Sequence, residues 1–244
     1  VDVLLAVVGG SMGGMQALEW TVSYPDAVTA AIPIATTHRL SPQGIAFNEV
    51  GRQAIISDPN WQGGNYHGGK PPDLGLALAR MIGHITYLSD QAMQDKFGRD
   101  LRHRDGYSYN FEQEFQVESY LHHQGSKFTR RFDANTYLYL TKAMDYFDMT
   151  GDCPSLRDSL KRATAVFLQV AFSSDWLFPA YQNREIANAL RNNGTDVTYV
   201  ELQSDYGHDA FLMEYETQTK LIRAFLEAVQ RRRRKAAGKA GNTP

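Results

Sequence analysis

The chain has 244 residues, 43% of them hydrophobic and 21% charged, which supplies a large core or two modest ones and excludes intrinsic disorder for most of its length. A formal net charge of −2 argues against a domain built to grip phosphate backbones, so no nucleic-acid partner is expected. The longest uninterrupted apolar run, residues 3–8, is far shorter than the roughly 20 residues a spanning helix needs, so no membrane partner is expected either. The single cysteine, Cys153, cannot close an internal disulfide, and a cytoplasmic location fits a chain without that need.

The N-terminus carries no initiator Met, charged n-region or cleavage signal and opens directly on a strand, so the chain is expected to begin in mid-domain. Residues 3–8 are apolar without alternation, which suits a central parallel strand covered on both faces. The run enters Gly9-Gly10-Ser11-Met12-Gly13-Gly14, then a helical pattern over 15–24 closed by Pro25, and a second apolar run over 30–35 at the distance of a strand-helix-strand unit. Strand signals then vanish, and amphipathic patterns rich in Trp, Tyr and Phe predict a helical lid over 38–162, with a polar loop at 62–72. Over 73–88 the spacing predicts an apolar stripe of Leu74, Leu78, Ile82 and Ile85, with Arg80, His84 and Tyr87 together on another face. A strand over 165–172, a helix over 182–191, a turn at Asn192-Asn193-Gly194, a strand over 197–202 and a helix over 214–230 follow. Residues 231–244 start with a basic run and are expected to be a flexible, solvated tail. The whole predicts an α/β fold whose core, residues 1–37 and 163–230, is a mostly parallel sheet interrupted by the lid.

Chemistry concentrates at Gly9-Gly10-Ser11-Met12-Gly13, a G-x-S-x-G match between a buried strand and a helix. That is the setting of a nucleophile elbow, where a sharp turn lifts a Ser hydroxyl clear of the sheet and flanking glycines avoid a neighbouring backbone. A Ser hydroxyl needs a base, and the base a carboxylate to orient it, in the chain order Ser, acid, His. Of the seven histidines, His38, His67, His84, His103, His122, His123 and His208, only His208 follows a late strand and precedes a helix. Asp175 lies just past the strand ending at Phe172, on the carboxyl edge where open α/β sheets collect functional groups. Ser11, Asp175 and His208 thus form a candidate triad by order and placement. An ordinary glycine-rich turn, a capping Asp175 and a locally bonded His208 are the bland readings. His122-His123 lacks a third ligand at convincing spacing, so no metal is expected.

The stretches AVVGGSMGGMQALEW (6–20), FNEVGRQAI (47–55), ARMIGHITY (79–87), RFDANTYLY (131–139) and GHDAF (207–211) are more specific than the elbow motif. Through them the chain resembles homoserine O-acetyltransferases of the α/β-hydrolase superfamily, over nearly its whole length to about Ala228. The resemblance implies an α/β-hydrolase fold with a helical lid, and relative to that family roughly the first third, with the first sheet strands and one oxyanion loop, is expected to be missing. It further implies that Ser11 attacks the thioester of acetyl-CoA, with His208 as base, Asp175 orienting it and the backbone N–H of Met12 as an oxyanion donor. His208 would then activate L-homoserine, giving O-acetylhomoserine in a ping-pong reaction toward methionine. Arg80 and Tyr87 match residues that bind homoserine, with Asp209 as partner of its ammonium; acetyl-CoA is a co-substrate and no cofactor is implied. A homodimer through the lid helices is expected. A succinyl donor is the first alternative, and Leu177, where succinyl-using relatives carry Arg, favours acetyl. A serine esterase and an inactive truncated remnant are the others. As a free fragment the chain is expected to fold poorly and to be inactive, because an apolar central strand would lose a neighbour.

Overall fold

The computed structural model describes residues 2–102 and 106–240, with side chains described through 235, so His103 lies outside the described residues. In chain order the elements are β1 (Val7–Gly10), α1 (Met12–Ser23), β2 (Ala30–Ile34), α2 (Pro42–Ile56), α3 (Asp73–Tyr87), α4 (Asp90–Phe97), α5 (Gln116–Thr129), α6 (Ala134–Tyr146), α7 (Leu156–Ser159), β3 (Val166–Phe172), α8 (Ala180–Asn192), β4 (Val197–Leu202), α9 (Ala210–Met213) and α10 (Tyr215–Ala240). They form two compact units, one of Val1–Arg39, Phe147–Ser204 and His208–Pro244, the other of Leu40–Tyr146 and Asp205–Gly207.

The first unit is built on four parallel strands in the order β1-β2-β3-β4. All of β2 and all but the first residue of β3 are buried, which is why these segments carry no polar alternation. Successive residues point to opposite faces. Ala31 and Phe167 join Leu18, Leu160, Ile186 and Leu190 on one side, whereas Ile32, Ile34, Leu168 and Val170 face Leu221, Ile222 and Phe225 of α10 on the other.

Three expectations change here. The strand over 3–8 is instead β1, Val7–Gly10, because the ladder with β2 runs only from Val7 opposite Ala31 to Gly10 opposite Ile34, with Leu4 bridging Val28 alone. Among the described residues β1 pairs with β2 on one side only, and Val8 is 53% exposed, the open edge expected of an apolar strand that lacks its other neighbour. Residues 147–162, grouped with the lid on sequence grounds, pack in the first unit, where Met149 and Leu160 enter the core beside Leu18 and Ile186 and the Met149 N–H donates to the His38 carbonyl. The basic run is not a loose tail as far as Ala240, since α10 continues through it. Ala, Arg and Lys are strong helix formers, Arg231 pairs with Glu227 one turn back at 3.7 Å, and Arg232 pairs with Asp196. Residues 241–244 lie outside the described part.

In the second unit, Ile55, Leu76, Ala79, Phe128 and Ala134 form a core among α2, α3, α5 and α6. Ser41 and Ser89 cap α2 and α4 by accepting from the N–H groups of Gly44 and Ala92 at 3.1 and 2.9 Å. The face of α3 that is buried is not the one its leucines predict. Leu74, Leu78 and Ile85 are 73%, 50% and 42% exposed, whereas Leu76, Ala79 and His84 are buried. Small side chains decide this, because a Cβ on Gly75 would lie 2.4 Å from the Ala54 carbonyl oxygen, so α2 and α3 meet where the side chains are smallest. No helix among the described residues is long and apolar enough to cross a membrane.

Candidate active site

The site is built at the carboxyl ends of β1, β3 and β4, within the first unit. β1 ends in Gly10, and Ser11 turns the chain into α1 with φ 56° and ψ −124°, a region that side-chain-bearing residues rarely occupy. The glycines around it are required at specific points. A Cβ on Gly9 would fall 2.0 Å from the Gly13 carbonyl oxygen, and one on Gly14 would fall 2.5 Å from Cβ of Thr36. Gly13, the last glycine of the motif, would meet nothing, so the steric demand expected of it falls on its neighbour Gly14.

His208 and Asp175 reach this turn as their placement predicts. Nε2 of His208 lies 2.8 Å from Oγ of Ser11, and Nδ1 lies 2.8 Å from Oδ2 of Asp175. Both partners are buried, with 3% of the His208 side chain exposed and none of the Asp175 side chain. The second carboxylate oxygen, Oδ1, accepts from the backbone N–H groups of Leu177 and Phe178 at 3.0 and 2.8 Å, which holds the acid in one rotamer. The turn that carries it is tied to β4: Ser173 N–H donates to the Leu202 carbonyl at 3.0 Å and Ser204 N–H to the Ser173 hydroxyl at 3.1 Å. The rings of Phe178 and Phe211 stand 5.0 and 5.2 Å from the imidazole, centroid to centroid, and keep bulk water from its faces. This geometry lets His208 accept the Ser11 proton while Asp175 stabilises the resulting imidazolium. Met12 is the first residue of α1, so its N–H has no acceptor within the helix and can donate to a group outside it.

Asp209 follows His208 in the turn Gly207–Asp209 and is half-buried. Arg80 and Tyr87 belong to the second unit. The Arg80 guanidinium lies over the Phe128 ring at 4.6 Å and the Tyr87 ring at 5.3 Å, and Nη1 donates to the Tyr87 hydroxyl at 3.5 Å. His84, on the same inward face of α3, is 3.0 Å from the Tyr120 hydroxyl. Burial, then the charges of Arg80, Lys96 and Arg131, push its imidazole down to about 4. His122 and His123 are exposed on α5, and among the described residues no group of three His, Cys, Asp or Glu side chains could hold a metal ion. Sequence reasoning did not find the two amides that seat Asp175, the rings flanking His208, or the role of Thr36 behind Ser11. The only sequence signal for the last is the second glycine pair, which marks a close approach.

Comparison with known proteins bears on the family and the fold. A curated homoserine O-acetyltransferase of Methanohalobium evestigatum is 61% identical over 93% of this chain and 46% of its own length, and one of Methanobrevibacter ruminantium is 59% identical over 93% and 46%. This chain thus spans about half the length of these curated relatives. Among solved structures, homoserine O-acetyltransferase from Bacillus anthracis matches with a TM-score of 0.86 at 26% identity, over 93% of this chain and 60% of that one. Esterase E22 matches with a TM-score of 0.84 at 27% identity, over 93% and 62%. The family model for the alpha/beta hydrolase fold matches residues 3–215, and with a Ser, His and Asp in register at the ends of its parallel strands, the chain belongs to the alpha/beta hydrolase fold family.

Proposed function

We propose that the chain is an acyltransferase that moves an acetyl group from acetyl-CoA to the hydroxyl of L-homoserine through an acyl-Ser11 intermediate. The observation that carries the reading is the continuous relay of Ser11, His208 and Asp175, with both links at 2.8 Å inside one unit of the chain. His208 takes the Ser11 proton as Oγ attacks the thioester carbon, the Met12 N–H receives the developing oxyanion, and the thiol of CoA leaves with that proton. The same base then takes the homoserine hydroxyl proton, and the second tetrahedral intermediate collapses to O-acetylhomoserine and free Ser11. The names and identities of the curated relatives support the choice of acceptor and donor.

Arg80 and Tyr87 are the proposed readers of the homoserine carboxylate, and Asp209 of its ammonium. Among the described residues Arg80 is engaged by two rings and a phenol oxygen and by no carboxylate, so its charge is not consumed by an ion pair. The proposed homodimer uses α2 and α3, where Val50, Ala54, Pro59, Leu74 and Leu78 line an apolar groove in the second unit. A cytoplasmic location is supported by the one free, exposed cysteine. Hydrolytic release of the acyl group is the second reading, favoured by the likeness to esterase E22.

Incubation with acetyl-CoA and L-homoserine, against succinyl-CoA and against no acceptor, tests the function. O-acetylhomoserine formed faster than free acetate is expected. Acetate release at the same rate with and without homoserine would make the protein an esterase, and preference for succinyl-CoA would move it to the alternative transferase.

A further inference from the structure

The backbone of Ser11 is gripped on both sides by one short segment at the end of β2. Its N–H donates to the Ile34 carbonyl at 2.9 Å, and its carbonyl oxygen accepts from Oγ1 of Thr36 at 2.8 Å. The same carbonyl oxygen also accepts from the N–H groups of Gly14 and Met15 at 2.9 and 3.3 Å, so among the described residues Thr36 is its one partner from outside the elbow and its helix. Between Ile34 and Thr36 the chain reverses at Ala35, which has φ 47° and is fixed by its N–H bond to the Val170 carbonyl at 2.8 Å. Thr36 is fully buried and packs where a side chain on Gly14 would stand. Its own N–H donates to Oδ1 of Asn183 at 3.4 Å, and that oxygen also accepts from Nε2 of Gln169 at 2.6 Å. Asn183 and Gln169 are fully buried as well.

The Ser11 carbonyl and the Met12 N–H belong to one peptide plane. In a planar trans peptide the two groups point in opposite directions, so whatever fixes the carbonyl aims the N–H. We propose that Thr36 is a positioning residue that, through its hydrogen bond to the Ser11 carbonyl, holds the strained nucleophile turn and aims the Met12 N–H at the oxyanion. This rests on Ser11 being the nucleophile. Ser11 sits at φ 56°, outside the relaxed regions, so the turn keeps this shape only while its surroundings hold it. Because the Met12 N–H acts on charge that develops only in the transition state, loss of its aim lowers kcat and leaves ground-state binding alone.

The test compares Thr36→Val and Thr36→Ala, which both lack the hydroxyl and differ in bulk, with Thr36→Ser, which keeps it. Two readouts are taken on the folded proteins: kcat and KM for p-nitrophenyl acetate, and amide hydrogen exchange of the peptide over residues 9–16. The Val and Ala variants are expected to lose about tenfold in kcat with KM within about twofold, and to exchange about fivefold faster at that peptide. The Ser variant is expected to keep at least about half of the native kcat and the native exchange rate. Equal losses in the Ser and Val variants, a loss expressed in KM, or exchange unchanged in both hydroxyl-free variants would overturn the proposal. A Ser11→Ala variant run alongside separates the two claims. Undiminished turnover in Ser11→Ala removes the nucleophile reading, whereas faster exchange confined to Thr36→Val and Thr36→Ala still supports the clamp on the turn.

Discussion

Replacing Asp175 separates its two roles, because its two oxygens have different partners. Oδ2 faces Nδ1 of His208, while Oδ1 accepts from the amides of Leu177 and Phe178, and the side chain has no exposed surface. In Asp175→Asn the side-chain carbonyl can keep both amides while its NH2 group faces Nδ1. Nδ1 must then become an acceptor, the imidazole proton moves to Nε2, and Nε2 can no longer take the Ser11 proton. A loss in kcat on the order of 10⁴ is expected, with a stability cost of only about 1 kcal/mol. In Asp175→Ala both amides are left buried without an acceptor at about 1–3 kcal/mol each, so about 2–6 kcal/mol is lost, a large share of the ~5–15 kcal/mol that holds a domain together. The assays are p-nitrophenyl acetate turnover and denaturant unfolding. An Asn variant within about tenfold of native kcat would refute the tautomer argument, a difference of about 1.4 kcal/mol or less in activation free energy. An Ala variant as stable as the Asn variant would refute the role given to the two amides.

Arg80→Ala is expected to slow acetyl transfer to homoserine far more than acylation by p-nitrophenyl acetate, since the cation is assigned to the amino-acid carboxylate; equal losses in both would make Arg80 a support for its helix only. His84 is held near 4 in the folded chain against 6.5 when unperturbed, so the unfolded state takes up its proton first as pH falls. The resulting stability is full above about 6.5 and is lost progressively as pH falls to about 4, by up to about 3 kcal/mol. Unfolding at pH 7 and pH 4.5 should therefore show a smaller pH dependence in His84→Gln than in the native chain, and identical slopes would contradict the burial argument. Leu74→Asp with Leu78→Asp should convert the proposed dimer to a monomer by light scattering with little change in the melt, because both side chains are already largely exposed. A native protein that is itself monomeric would remove the dimer reading.

The strands β2 and β3 were legible because a strand buried on both faces leaves a nearly unbroken apolar run, β4 because β-branched and aromatic residues follow the turn at 192–194, and the helix α8 because it leaves a 3.6 period. The relay was legible for a related reason. An α/β sheet presents its carboxyl ends on one edge, so chain order and position after a strand suffice to place Ser11, Asp175 and His208 together. The orientation of α3 was not legible, since counting leucines assumes that the largest side chains mark the contact, and here Gly75 and Ala79 mark it. The length of β1 was set by its partner and not by its own apolarity. The left-handed Ala35 and the hydroxyl of Thr36 leave no periodic trace, because each acts through a single backbone dihedral or a single hydrogen bond between residues far apart in sequence.

The most direct test of the account is intact-protein and peptide mass spectrometry after brief mixing with acetyl-CoA, followed by a chase with L-homoserine. One added acetyl group on the peptide containing Ser11, absent in Ser11→Ala and discharged by homoserine faster than by water, is the predicted result. Acetyl groups found elsewhere, or an acyl-Ser11 that homoserine discharges no faster than buffer, would contradict it.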